Sequence, residues 1–328
     1  MNVGYALSSE EHAPLDLVRH AQAAERSGFE YALISDHFHP WIDRQGQSPF
    51  VWSVIGAIAA STSELRLGTG VTCPLIRIHP AIVAQAAATA AALMPGRFFL
   101  GVGTGENLNE HVLGDRWPPP AQRREMLREA VEVMRLLWSG ELSNFQGTHY
   151  TVENARLYTL PPAEVEIVIA AGGAETAELA AEIGDGLVAT APDRDLVERF
   201  VKSGGSGPCY GQLTVCWDES EAKARQIAFE RWPTAALRGP LGQELPLPGH
   251  FEAATEMVTV DDVSEVVVCG HGPEAHLEAI ESFADAGFDH VYVHQVGPNQ
   301  EGFFEFYERE ILPEASELMP RTLQAATA

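Results

Sequence analysis

Eight short apolar runs alternate with stretches of helical periodicity along this 328-residue chain, with no linker-like segment between them. They lie at 2–7, 31–34, 65–72, 97–101, 166–171, 187–190, 212–217 and 289–294. Runs as continuously apolar as Tyr31-Ala32-Leu33-Ile34 read as strands buried on both faces, as in parallel sheets covered by helices. Eight strand–helix units in a chain of this length predict an α/β fold, a closed (β/α)8 TIM barrel rather than two Rossmann halves. Between the units, Leu15, Val18, Ala21 and Ala24 mark a helix opened by Pro14 and stopped by Gly28. Two insertions are expected within one domain spanning 1–328: about 139–163, read as a hairpin around Gly147, and the breaker-rich 232–262.

Charge narrows the function classes. The chain carries 46 acidic against 21 basic residues, a formal charge of −25, which repels nucleic acid and anionic membranes. No apolar run approaches the roughly 20 residues that span a bilayer, and the first 20 residues show no secretory signal. Cys73, Cys209, Cys216 and Cys269 form no CxxC pair and read as reduced thiols. The expectation is a cytoplasmic protein with a small-molecule partner.

In a barrel, chemistry is placed where strands hand over to loops. The second run delivers Ser35-Asp36-His37-Phe38-His39-Pro40-Trp41, too dense a polar cluster for an ordinary turn. The fourth delivers Gly101-Val102-Gly103-Thr104-Gly105-Glu106, and the fifth Gly172-Gly173 before a helix. The fourth-strand loop is not a GxGxxG fingerprint, because Glu106 stands where the third glycine belongs. Its glycines instead let backbone N–H groups approach a flat or phosphorylated ligand. A histidine near neutral pKa suits removal of a hydroxyl proton while a hydride leaves, which makes His37 the candidate base and Glu106 a candidate acid. Trp41 offers a flat wall or an N–H donor. The same residues admit a metal reading. His37 and His39 form an HxH pair, with His79, His271 and His294 as further candidate ligands of a hydrolase metal, although the pair follows strand two rather than strand one.

Together with Gly46-Gln47-Ser48-Pro49-Phe50-Val51-Trp52, Gly68-Thr69-Gly70-Val71-Thr72-Cys73-Pro74, His79-Pro80-Ala81-Ile82-Val83-Ala84-Gln85 and Gly184-Asp185-Gly186, these segments carry a resemblance. The chain resembles the luciferase-like barrel superfamily, and within it the oxidoreductase group around coenzyme F420-dependent glucose-6-phosphate dehydrogenase. The resemblance implies an 8-hydroxy-5-deazaflavin cofactor, F420, in the barrel mouth, and a homodimer. It implies Asp36 beside the deazaflavin, a non-proline cis peptide at Gly70–Val71 with the valine behind the ring, and Thr104, Gly105, Asn109, Gly172, Gly173 and Thr190 holding ring and phosphate tail. It also implies catalytic roles for His37, Glu106 and Trp41. FMN is a less favoured cofactor, which would make the chain a monooxygenase.

One departure stands out. Where the sugar-phosphate enzymes hold the substrate phosphate with basic residues, this chain reads Pro192-Asp193, Phe251-Glu252-Ala253-Ala254 and His276-Leu277-Glu278-Ala279. A dianion without cationic partners is poorly held near so acidic a surface. The expected substrate is a small alcohol or ketone, and not glucose 6-phosphate.

Overall fold

Apolar runs buried on both faces pair edge to edge, and in the computed structural model, which describes residues 1–321, they close into a ring. The first half alternates without exception: β1 (Asn2–Leu7), α1 (Pro14–Arg26), β2 (Tyr31–Ile34), α2 (Val51–Ala59), β3 (Arg66–Thr69), α3 (Pro80–Leu93) and β4 (Phe98–Val102). The short α4 (Asn107–Glu110) and the long α5 (Pro120–Trp138) follow. The first insertion is an antiparallel hairpin of β5 (Ser143–Gln146) and β6 (Thr151–Ala155). The alternation resumes with β7 (Ile167–Ala170), α6 (Ala174–Ile183), β8 (Gly186–Ala189), α7 (Arg194–Lys202), β9 (Cys209–Cys216) and α8 (Glu221–Arg231). The second insertion is built from the short helices α9 (Leu241–Glu244), α10 (Pro248–Ala254) and α11 (Val260–Ser264). It runs into β10 (Val268–Cys269), and α12 (Pro273–Ala286), β11 (His290–Gln295), α13 (Gln300–Phe306) and α14 (Leu312–Glu317) close the chain.

Eight parallel strands form the TIM barrel, with β11 paired to β1 and β8 to β9. Aromatic rings plug its interior. Phe99 stacks on Tyr210 with centroids 5.3 Å apart, and Tyr31 meets Tyr210 edge-on. Glycines on neighbouring strands make the room: a Cβ at Gly68 would lie 2.3 Å from the Phe99 ring, and one at Gly4 would lie 2.4 Å from Tyr31. The plug is low in the barrel, so the C-terminal end of the strands stays open.

Three details differ from the sequence reading. The seventh strand starts earlier than residue 212, because Cys209, Tyr210 and Gly211 pair with β8. Beyond that point β9 leaves β8, and Val215 and Cys216 pair instead with β10, a two-residue strand too short to show any periodicity. The barrel is therefore split at its upper rim between β8 and β9. On α1 the buried face is Leu17, Ala21 and Ala24, while Leu15 is 68% exposed. Among the described residues no helix is long and apolar enough to cross a membrane.

Candidate active site

A cavity of about 1480 Å³ fills the open end of the barrel and extends into the split between β8 and β9. It exceeds the roughly 300–1,000 Å³ of ordinary small-molecule pockets. Two ligands, or one ligand with a long tail, fit such a space.

His37 stands on its wall at the end of β2, its side chain 10% exposed. Glu10, from the loop after β1, lies behind it with Oε1 3.3 Å from Nδ1. The contact is an ion-pair approach off the line of a hydrogen bond. Topology explains the meeting, because β1 pairs directly with β2. Glu10 is held in turn by Ser8 Oγ (3.0 Å) and Ser35 Oγ (2.7 Å), both donating to Oε2. Burial pushes the Glu10 carboxyl up, but the charge of His37 and the Ser35 hydrogen bond outweigh it, so Glu10 sits below the usual carboxylate range. With Nδ1 turned to Glu10, Nε2 is the nitrogen left for a substrate. Glu10 has no signature in the sequence, since an acid in a short polar loop shows no periodicity.

Trp41 packs edge-on against His37 (centroids 5.1 Å) and against Phe251 of α10 (5.2 Å). The late insertion therefore caps the site with an aromatic contact. Gln45 fixes the Trp41 loop by accepting from the Trp41 N–H at 2.8 Å. Glu106 lines the same cavity as His37 and Trp41.

Of the residues expected around the cofactor, Gly70, Val71, Thr104, Gly105, Gly172, Gly173 and Thr190 line the cavity. The Gly70–Val71 peptide is cis. A Cβ at Gly103 would press to 2.8 Å on Val71, so glycine there lets the two loops close up. At Gly105 the backbone is left-handed (φ 71°), and a Cβ would strike Cys73 Sγ at 2.5 Å. Gly172 and Gly173 have no neighbour within 4 Å of a would-be Cβ and border open space at the start of α6. Their N–H groups donate to Thr176 Oγ1 at 3.2 Å, which shapes the N-terminus of α6 where an anionic tail could approach, and the glycine-lined floor suits a flat ring.

Asp36 and Asn109 depart from expectation: neither lies on the cavity wall. The Asp36 carboxylate accepts from Thr72 Oγ1 (2.8 Å) and from Arg77 Nη2 (3.0 Å), which turn it into the protein. Arg77 also reaches Glu110, through Nε (3.3 Å) and its backbone N–H (3.0 Å). Asn109 Oδ1 accepts from the backbone N–H groups of Phe38 (2.9 Å) and His39 (3.1 Å). Both residues shape the His37 loop from beneath.

The HxH pair diverges. His39 Nδ1 lies 2.9 Å from the Leu108 carbonyl, away from His37. His79 caps α3, its Nδ1 accepting from the Ala81 N–H, and His271 is exposed. Among the described residues no three His, Cys, Asp or Glu side chains are grouped to hold a metal ion. From the stretches read as lacking phosphate-binding cations, Pro192, Phe251 and Ala279 line the cavity. Its three lining arginines are already paired with carboxylates: Arg123 with Glu244 (3.3 Å), Arg124 with Glu175 (2.5 Å) and Arg225 with Asp261 (2.6 Å).

Residues 1–290 match the family model described as luciferase-like monooxygenase. The chain is 36% identical over 322 residues to the F420-dependent hydroxymycolic acid dehydrogenase of Mycobacterium tuberculosis, covering 95% of this chain and 88% of that protein. It is 34% identical over 326 residues to the F420-dependent glucose-6-phosphate dehydrogenase of Beutenbergia cavernae, covering 95% and 97%. Among solved structures, an F420-dependent secondary alcohol dehydrogenase in complex with an F420-acetone adduct superposes with a TM-score of 0.89 at 30% identity, over 96% of this chain and 98% of that one. A match over most of its length, on a barrel whose site lies where the strands end, means that this chain belongs to the luciferase-like monooxygenase family.

Proposed function

We propose that this protein is an F420-dependent dehydrogenase that oxidises a small, uncharged alcohol, or reduces the matching ketone, with His37 as its proton-transfer group. The F420-dependent class rests on relatives at 30–36% identity over nearly the whole chain. The observation that carries the mechanism is the Glu10–His37 pair facing the cavity beside Trp41.

When bound, F420 supplies a deazaflavin carbon that accepts or returns a hydride. The residues lining the cavity fit such a group: Val71, Gly103 and Gly105 would lie against a flat ring, and Gly172, Gly173 and Thr190 would hold a phosphorylated tail. On the substrate side, Nε2 of His37 takes the hydroxyl proton as the carbinol carbon gives up its hydride and the carbonyl forms. Glu10, with Oε1 3.3 Å from Nδ1, faces the imidazolium that results and stabilises its charge. Trp41, clamped between His37 and Phe251, shields the reacting face from water.

The stretches around Pro192, Phe251 and Ala279 bring no lysine or arginine to the cavity, which argues against a substrate phosphate. Reduction of F420, followed by loss of its visible absorbance over a panel of alcohols, sugars and sugar phosphates, tests both points. Neutral alcohols are expected to turn over and glucose 6-phosphate is not; a preference for the sugar phosphate would overturn the substrate assignment. His37→Ala should lower kcat by about 10²–10⁴-fold while F420 still binds, as read by quenching of its fluorescence. Full turnover by that variant would remove His37 from the mechanism.

A further inference from the structure

The loop after β1 carries two glutamates in succession, and each backs a histidine from a different strand. Glu10 backs His37 on the β2 side. Glu11 backs His294 on the β11 side, with Oε2 3.6 Å from Nε2. Since β1 lies between β2 and β11 in the barrel, one loop serves both neighbours. His294 also lines the cavity, and its side chain is 4% exposed.

This second pair is unsatisfied. Both ring nitrogens of His294 and Oε2 of Glu11 are buried without a hydrogen-bond partner. The fold knows how to satisfy a core histidine: His276, equally buried, has Nδ1 2.9 Å from the Tyr307 hydroxyl and Nε2 3.1 Å from the Gly270 carbonyl. Orphaned buried polar atoms are costly, and they persist where something outside the protein completes them. Trp232 packs edge-on against His294 at 4.5 Å, and the histidine is one of the residues that line the cavity.

We infer that His294, positioned by Glu11, is a second polar contact for the substrate, and that the alcohol oxidised here carries another hydroxyl close to the reacting carbon. The inference rests on the proposed alcohol chemistry at His37. Strands β2 and β11 flank β1, each about 4.8 Å away, and both histidines line the one cavity above them. Glu11 beside Nε2 favours the ring proton there and leaves Nδ1 as an acceptor for a substrate O–H.

Isopropanol and propylene glycol, which differ by a single hydroxyl, test this. The wild-type enzyme should favour the diol in kcat/KM by about tenfold, the weight of one good hydrogen bond. His294→Leu should erase that preference by raising KM for the diol at nearly constant kcat, with isopropanol unaffected, and His294→Gln should recover part of it. Equal losses on both alcohols, or no loss on either, would overturn the inference. Tryptophan fluorescence of the full chain without cofactor, titrated with the diol, gives an independent reading through Trp232. A His294-dependent response in a chain that turns over no alcohol with F420 would support the diol site while refuting the proposed function. Turnover of isopropanol that depends on His37, with the diol neither preferred nor sensitive to His294, would do the reverse.

Discussion

Arg77 shows how much of the site is decided by one side chain off its surface. Its guanidinium ties Asp36, behind the His37 loop, to Glu110 at the end of α4. Burial raises the Glu110 carboxyl above its usual range despite Arg77, while the two carboxylates outweigh burial and raise Arg77 itself. Removing one partner from such a group leaves uncompensated buried charge, typically about 3–5 kcal/mol. Arg77→Met should therefore lower the urea midpoint by a loss of that order. It should also weaken turnover, because Asp36 carries the backbone that presents His37. A variant as stable as the wild type would show that the carboxylates are hydrated or protonated at no cost. Asp36 was legible in the sequence as an acid at a strand end, but the hydrogen bonds that turn it into the protein were not. Its partners Thr72 and Arg77 stand 36 and 41 positions away, and only the closed barrel brings them together.

At the scale of the elements, the strands were readable because burial on both faces imposes unbroken apolar runs, as in β2, all four of whose residues are buried. What could not be read was the exception. β10 is two residues long, and it pairs with β9 beyond the point where β8 ends. The glycines of the strands were equally mute: Gly68 looks like a weak strand residue until the Phe99 ring is seen lying over it. Gly68→Ala forces a methyl group into a ring stacked on Tyr210, and overpacking of this kind costs about 1–3 kcal/mol. Thermal unfolding should show the drop, and adding Phe99→Leu should restore part of it. An additive double variant would mean that the strand, rather than the ring, carries the strain.

For the whole molecule, the balance between buried histidines and a large negative charge sets the response to acid. His276 accepts from Tyr307 and donates to Gly270, a pattern open only to the neutral ring, and burial lowers its pKa to about 4. His12, half-buried and beside His20, is lowered to about 3, first by desolvation. In the unfolded chain both titrate near 6.5. A histidine depressed in the folded state contributes its full stability above the unfolded pKa and loses it as pH falls, because the unfolded chain then binds the proton that the folded one refuses. Each of the two should therefore lower the unfolding free energy by up to about 1.4 kcal/mol per pH unit below 6.5. Most carboxylates stay ionised down to about pH 5, so the relief of self-repulsion that acid brings to a chain of charge −25 comes later and does not mask the effect. Glu10 acts lower still: its depressed pKa stabilises the fold above the carboxylate range and fails only as pH drops through it. Urea titrations between pH 6.5 and 5 should show stability falling with acid. In His276→Gln the slope should be shallower by one histidine's share, although the variant is less stable at neutral pH by about 1–3 kcal/mol for the disturbed hydrogen bonds. An unchanged slope would mean that His276 takes up its proton in the folded state and that the neutral pattern with Tyr307 and Gly270 is not the one that holds α12 in place.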